Sequence, residues 1–274
     1  MTMGMNKHFY LRLAVIAAAL LAALGQASAQ NVGETIGEAY DLKSNELLYR
    51  ETHCVSSDTA AREVIYRNHE GRLLARKLLD YSSGATTPSF VQHNLYSREL
   101  IEVALKDDNL TMTVQEIGNP EPKKALSTQT DEKLPVVIDA GFDVFVRDHW
   151  ETLVAGDKKY FLFPFAERSS LVELRIGPTS CSYDNETDQC FRLDLSNWFL
   201  RMLVAPIELG YDVESKRLAR YRGLSNIGDE NGNGQVVDIQ YRYRDLPQRA
   251  CRIADQPLTD ERLRVSLSPD DAES

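Results

Sequence analysis

The stretch ELIEVALKDDNLTMTVQE, residues 99–116, constrains the fold more than any other part of the chain. Ile101, Val103 and Leu105 alternate with polar residues, KDDN turns the chain, and Leu110, Met112 and Val114 alternate back. A period of two places every second side chain on one face, so the segment reads as two antiparallel strands with one face buried. The same signature recurs in AYDLKSNELLYRETH, in REVIYRNHEGRLLARKLL and in IELGYDVESKRLARYRG. Two of these hairpins share the pattern Tyr-Asp-apolar-x-Ser-x-x-Leu, at Tyr40 to Leu47 and at Tyr211 to Leu218. Turn chemistry alone produces such a match, and an internal duplication is the other reading. YFLFPF, residues 160–165, is apolar on both sides and predicts a central strand.

Two segments break the rhythm. In DAGFDVFVRDHWETLVAG the residues Phe142, Phe145, Val146, Trp150, Leu153 and Val154 fall at helical spacing, with Asp139 as N-cap and Gly156 as stop. SNWFLRMLVAP predicts a shorter helix, capped by Ser196 and ended by Pro206. Residues 118–134, GNPEPKKALSTQTDEKL, are polar and Pro-rich and read as a long surface loop. Strands in hairpins with two inserted helices argue for an α+β chain that is mainly β: a curved antiparallel sheet or open barrel, with the helices covering its concave face.

The N-terminus addresses the compartment. Lys7 and Arg12 precede an unbroken apolar run, Leu13 to Leu24, which ends in GQASAQ. Twelve residues of helix rise about 18 Å, short of the roughly 30 Å hydrocarbon core, and Ala27 and Ala29 stand where a signal peptidase reads. Residues 1–29 are therefore expected to be a signal peptide, cleaved after Ala29, with a periplasmic or secreted mature chain. No Cys follows the apolar run until Cys54, so the signal is not of the lipoprotein kind, and no later segment is apolar over a spanning length. Residues 30–266 form one β-rich domain in this reading, and residues 267–274 a disordered acidic tail. Removing Lys7 and Arg12 takes the formal charge from −10 to −12, a surface that repels nucleic acid. The four cysteines, Cys54, Cys181, Cys190 and Cys251, all lie in the exported part and predict two disulfides. The polar turn in CSYDNETDQC favours Cys181 with Cys190, which leaves Cys54 with Cys251.

Catalytic patterns are thin. There is no Gly-x-Ser-x-Gly, no His-Glu-x-x-His and no phosphate loop. His53, His69, His93 and His149 stand in no motif with a partnered acid or nucleophile and read as packing or surface residues. No metal or cofactor is expected. GDENGNGQVVDIQ, residues 228–240, resembles half a calcium loop, with Asp229, Asn231 and Asn233 at alternate positions. Its twelfth position is the neutral Gln240, and alternation from Val236 onward carries that residue away along a strand, so the stretch reads as a hairpin turn. The aromatic positions on the two helices suggest a lid over an apolar cavity, with Phe142, Phe145, Trp150, Trp198 and Met202 as the candidate ligand-binding residues. The plainer reading of the same residues is ordinary core, since amphipathic helices usually pack flat on their sheet.

With its export signal, successive hairpins, mid-chain helix and the hairpin IELGYDVESKRLARYRGLSN, the chain resembles in layout the open-barrel lipoprotein carriers of the Gram-negative periplasm. That resemblance implies a non-enzymatic binder of acyl chains or another apolar ligand held between sheet and helices. The alternatives are a structural or envelope-associated interaction protein, and a hydrolase with scattered site residues.

Overall fold

The computed structural model describes residues 31–55, 60–119, 121–130, 133–184, 187–197, 205–229 and 233–247. The expected signal peptide, acidic tail and second helix lie outside them. Alternation becomes strand wherever it was expected. The first eight strands are β1 (Asn31–Asp41), β2 (Leu47–Val55), β3 (Ala61–Asn68), β4 (Leu73–Asp80), β5 (Ser89–Asn94), β6 (Glu99–Lys106), β7 (Asn109–Glu116) and β8 (Pro122–Gln129). After two short helices, α1 (Gly141–Asp148) and α2 (Trp150–Val154), come β9 (Lys159–Phe165), β10 (Ser170–Thr179), β11 (Asp188–Leu195), β12 (Ile207–Asp212), β13 (Leu218–Gly228) and β14 (Gly234–Pro247).

All fourteen strands of the described residues belong to one antiparallel sheet, in the order β8-β7-β6-β5-β4-β3-β2-β1-β14-β13-β12-β11-β10-β9. The first strand therefore lies in the middle, paired with β2 on one side and along its whole length with β14 on the other. The edges are β8 and β9, and they are not paired with each other.

The two ends of the sheet nonetheless meet. Leu162 of β9 and Leu171 of β10 pack with Ile101, Val103, Leu110, Met112 and Val114, the inward residues of β6 and β7. On β9 the neighbouring Phe161 points the other way, into a cluster with α1 and α2. One end of the sheet is thus tucked inside the other, and the sheet rolls up as a scroll rather than closing as a barrel. Residues 135–138 fill the seam: Leu162 N–H donates to the Pro135 carbonyl, Val137 N–H to Leu162 and Ile138 N–H to Thr86. This overlap corrects the place expected for YFLFPF. The segment is apolar on both sides because helices cover one face and β6–β7 the other, while in strand order it is terminal.

The helices lie on the concave face, as expected. Phe145, Val146, Trp150 and Leu153 are buried against Phe161, Ile176, Phe191, Leu209 and Tyr211. Gly141 begins α1 where no side chain fits, since a Cβ there would lie 2.2 Å from the Thr86 carbonyl oxygen. Gly156, at φ +108°, ends the helical segment as expected. The expected single helix is broken at His149, whose Nδ1 donates to the Phe145 carbonyl. Asp139 is not the N-cap; Ala140 holds that position without a side-chain cap bond. Asp139 sits one residue earlier at φ +44° and turns its carboxylate to Ala140 N–H and to Lys77.

The polar stretch 118–134 is not all loop, because Pro122–Gln129 forms β8 on β7. An edge strand with mostly exposed side chains carries no apolar alternation to read, and its leading Pro costs no ladder bond.

Candidate functional site

A period of two also decides which charged residues enter the scroll. On β2, Tyr49, Glu51 and His53 share the inward face, and Glu51 lies opposite Gly37 of β1, which is opposite Tyr241 of β14. Gly37 makes room for both: a Cβ there would come within 2.7 Å of Glu51 Cγ and 2.9 Å of Tyr241 Cε1. His53 Nε2 lies 3.0 Å from Glu51 Oε1, and the imidazole meets the Tyr241 ring edge-on. Burial pushes the Glu51 carboxyl toward protonation, but bonds from His53 and Tyr241 and the charge of Lys77 outweigh it and hold the group below the ordinary carboxylate range. Burial, with the Glu51 charge, pushes the Tyr241 hydroxyl well above its ordinary value.

Further along the bore, Lys77 of β4 is 1% exposed and meets Asp139 Oδ2 at 2.5 Å over the Phe90 ring. Asp143 of α1 is pushed up by burial, against the opposing charges of Arg147 and Arg62. Toward the other mouth, β13 shifts register between Leu224 and Gly228, and the bulge enters the bore. Tyr49 and Ser225 share a hydroxyl hydrogen bond of 2.7 Å, Asn226 Nδ2 donates to Tyr66, and Gln92 Nε2 donates to the Asn226 carbonyl. Polar groups that the sheet forces inward are thus bonded to one another across the bore.

Two of the hollows among the described residues are distinguished by their linings. One, of about 580 Å³, lies at the mouth formed by the β1–β2, β3–β4, β5–β6 and β13–β14 turns. Leu47, Leu48, Leu74 and Tyr96 give it apolar walls, while Glu46, Asn68, His69, Asp229 and Gln235 supply polar groups. The other, of about 520 Å³, is polar and lies on the outer side of the disulfide loop between Cys181 and Cys190.

Of the residues singled out from the sequence, Phe145 and Trp150 are buried and Phe142 is partly buried against them. Trp150 meets Phe191 and Tyr211 edge-on at 5.5 and 5.9 Å between ring centres, and Phe145 meets Phe161 at 4.9 Å. These are the separations of packed aromatic pairs. Trp198 and Met202 lie outside the described residues. Cys181 and Cys190 are joined as expected, with Cα atoms 5.2 Å apart. Cys54 is also disulfide-bonded, and its expected partner Cys251 lies outside the described residues. In the calcium-like stretch, the Asp229 carboxylate accepts from Asn233 N–H at 2.8 Å and from Asn233 Nδ2 at 3.0 Å, which makes it the clamp of a turn. Among the described residues, no three His, Cys, Asp or Glu side chains gather as a metal site. The inward charges Glu51 and Lys77 were missed, although they are charged side chains at strand positions that alternation assigns to the core. Asp139, expected as an N-cap, lies in the turn before α1, where alternation gives no signal for its pairing with Lys77.

The fold and the site together define a rolled, barrel-like antiparallel sheet with a polar layer inside and an amphipathic groove at one mouth. No known protein family matches the chain, and no curated protein matches it. Among solved structures it is similar to a beta-barrel-like protein of a domain of unknown function, DUF1849, from Brucella abortus, with 7% identity and a TM-score of 0.42 over 80% of this chain and 98% of that one.

Proposed function

We propose that the protein is an exported, non-enzymatic binding protein that holds an amphipathic, lipid-like ligand at the mouth of its rolled sheet. The observation that carries this reading is the groove of about 580 Å³, within the size range of small-molecule sites, with Leu47, Leu48, Leu74 and Tyr96 beside a polar set. An acyl chain laid against the leucines would leave its headgroup at Asn68, His69 and Gln235. The ligand is placed here rather than under the helices because aromatic side chains already occupy the space around Phe145 and Trp150. Export is supported by the basic start, the short apolar run and the Ala-x-Ala-like end at Ala29. The disulfide between Cys181 and Cys190 fits an oxidising compartment. The layout resembles that of open-barrel lipoprotein carriers, and the resemblance points the same way.

Native mass spectrometry of protein released from the periplasm tests the proposal, followed by titration with a lysophospholipid. The expected result is a mature chain beginning at Gln30, a co-purifying lipid mass, and saturable binding that Leu74→Arg abolishes while the fold persists. A ligand-free protein whose weak lysophospholipid uptake is unchanged by Leu74→Arg would overturn it.

A further inference from the structure

The groove at the mouth is uneven in charge. Its four turns follow one another in strand order, β13–β14, β1–β2, β3–β4 and β5–β6. The first two carry the carboxylates Asp229 and Glu46, and the last two carry Asn68, His69 and Tyr96. The acidic turns are neighbours, since β1 pairs with β14 and Leu42 N–H donates to the Val236 carbonyl at 3.1 Å. Among the described residues that line the groove there is no Lys or Arg.

The bonds already made decide what each polar group still offers. Glu46 is exposed, and its Oε2 accepts from the Ser44 hydroxyl at 3.3 Å, a neutral partner that leaves the charge in place. Gln235 directs its amide nitrogen to the Ile227 carbonyl at 3.2 Å, which leaves its oxygen as an acceptor. On the other side, Asn68 Oδ1 accepts from the Glu70 and Arg72 N–H groups at 3.1 and 2.8 Å, which leaves its Nδ2 as a donor. His69 stands 3.9 Å from Glu70, and Arg72 turns its guanidinium to the same carboxylate at 3.5 Å, so the basic side chains of this turn face an acid. One side of the mouth thus presents acceptors and negative charge, and the other a neutral amide donor.

We infer that the groove selects amphiphiles whose headgroup carries an ammonium, as phosphoethanolamine does, and discriminates against headgroups that are purely anionic. The inference rests on the reading of this groove as the ligand site. With the chain against Leu47, Leu48 and Leu74, an ammonium on the side of Glu46 and Asp229 makes charge-assisted hydrogen bonds, while the phosphate meets Asn68 Nδ2. A headgroup with the phosphate alone brings its charge to the same carboxylates, and repulsion of the wrong ligand sets specificity as much as attraction of the right one. Exchanging attraction for repulsion at partly exposed carboxylates should change affinity by about tenfold.

Calorimetric titration of the mature chain, below the critical micelle concentration, tests this with lysophosphatidylethanolamine, its N-acetyl derivative and lysophosphatidylglycerol, all of one acyl chain. The first should bind about tenfold more tightly than the other two, which lack the ammonium. Glu46→Lys, at an exposed turn position, should weaken the first and strengthen the others until the gap closes. Should that variant lose its native circular dichroism, the three-lipid comparison on the unaltered chain decides alone. Glycerophosphoethanolamine, the same headgroup without a chain, should not bind; affinity equal to the lipid's would overturn the inference, because the leucine wall would then contribute nothing. Equal affinities for the three lipids, all abolished by Leu74→Arg, would overturn the headgroup selectivity and leave the groove as the ligand site. No saturable binding of any of them would overturn both.

Discussion

Lys77→Met is the substitution that tests most of the structural reasoning at once. The Lys77 side chain is 2% exposed and its Asp139 partner 20%, so the pair lies inside the scroll, out of reach of most solvent screening. Methionine keeps the length of the aliphatic stem beside Phe90, so the substitution removes little besides the charge. What remains is the Asp139 carboxylate, facing Lys77's vacated position from the start of α1. Removing one member of a buried pair costs about 3–5 kcal/mol, because the survivor keeps its desolvation penalty without its partner. At roughly 2–4 °C per kcal/mol for a chain of this size, the melting temperature should fall by about 6–20 °C. Adding Asp139→Asn removes the orphaned charge, and Asn tolerates the positive φ found there. The double variant should therefore recover most of the loss, with a coupling of about 3 kcal/mol or more in a double-mutant cycle read by urea unfolding. A single-variant cost below about 1 kcal/mol, or a double variant as unstable as the sum of its singles, would mean that the pair does not hold the helical segment to β4.

Glu51→Gln should be most destabilising near neutral pH. A carboxyl held below its unfolded value of 4.5 contributes stability that is complete above that value and is lost as pH falls through the depressed one, so the difference between variant and parent must shrink in acid; a difference that grew on acidification would contradict this. Gly141→Ala has no flexible neighbour to displace, since its Cβ would meet the Thr86 backbone oxygen, and should cost about 1–3 kcal/mol in thermal unfolding. Replacing Cys181 and Cys190 together by Ala should cost about 2–3 kcal/mol, the closure entropy of so short a loop, with the mature chain otherwise folded by circular dichroism. Calcium at millimolar levels should leave the melting temperature unchanged, and Asp229→Ala should cost about 1 kcal/mol or less, because its bonds to Asn233 are exposed.

What could be read in the sequence follows from distance along the chain. Hairpins are local, so the four alternating pairs predicted from residues 39–53, 62–79, 99–116 and 207–223 all form adjacent strands. The overlap of β9–β10 inside β6–β7 joins residues about 60 positions apart and leaves only one local trace, the doubly apolar YFLFPF, which a central strand explains equally well. The pairing of β1 with β14 is more distant still, and alternation carries no information about which strands adjoin. For the site, alternation placed Phe145 and Trp150 on the right face without saying whether they line a cavity or fill it. It also placed Glu51 and Lys77 inward, where a charged residue in an otherwise apolar row marks the polar layer.

The shared pattern at Tyr40 to Leu47 and Tyr211 to Leu218 shows how far local physics reaches. In both turns the Asp carboxylate accepts a backbone N–H from the Ser three residues on, Ser44 and Ser215, at 2.7 Å. Those bonds lead the influences that hold Asp41 below the ordinary carboxylate range; for Asp212 the Ser215 hydroxyl leads and its N–H follows. The next residue adopts positive φ, Asn45 at 60° and Lys216 at 53°, and its N–H returns to the Asp carbonyl at 2.9 Å. Each Asp N–H in turn donates across the turn, to Glu46 and to Arg217. Each hairpin has a register shift at its Tyr, which then pairs with the closing Leu. Asp, Ser and the bulge-side Tyr are therefore the residues that this turn geometry uses, at the spacing it imposes. The third position carries exposed Leu42 in one turn and exposed Val213 in the other, neither of which the bonding requires. The pattern follows from one kind of turn used twice, and a duplication is not needed to account for it.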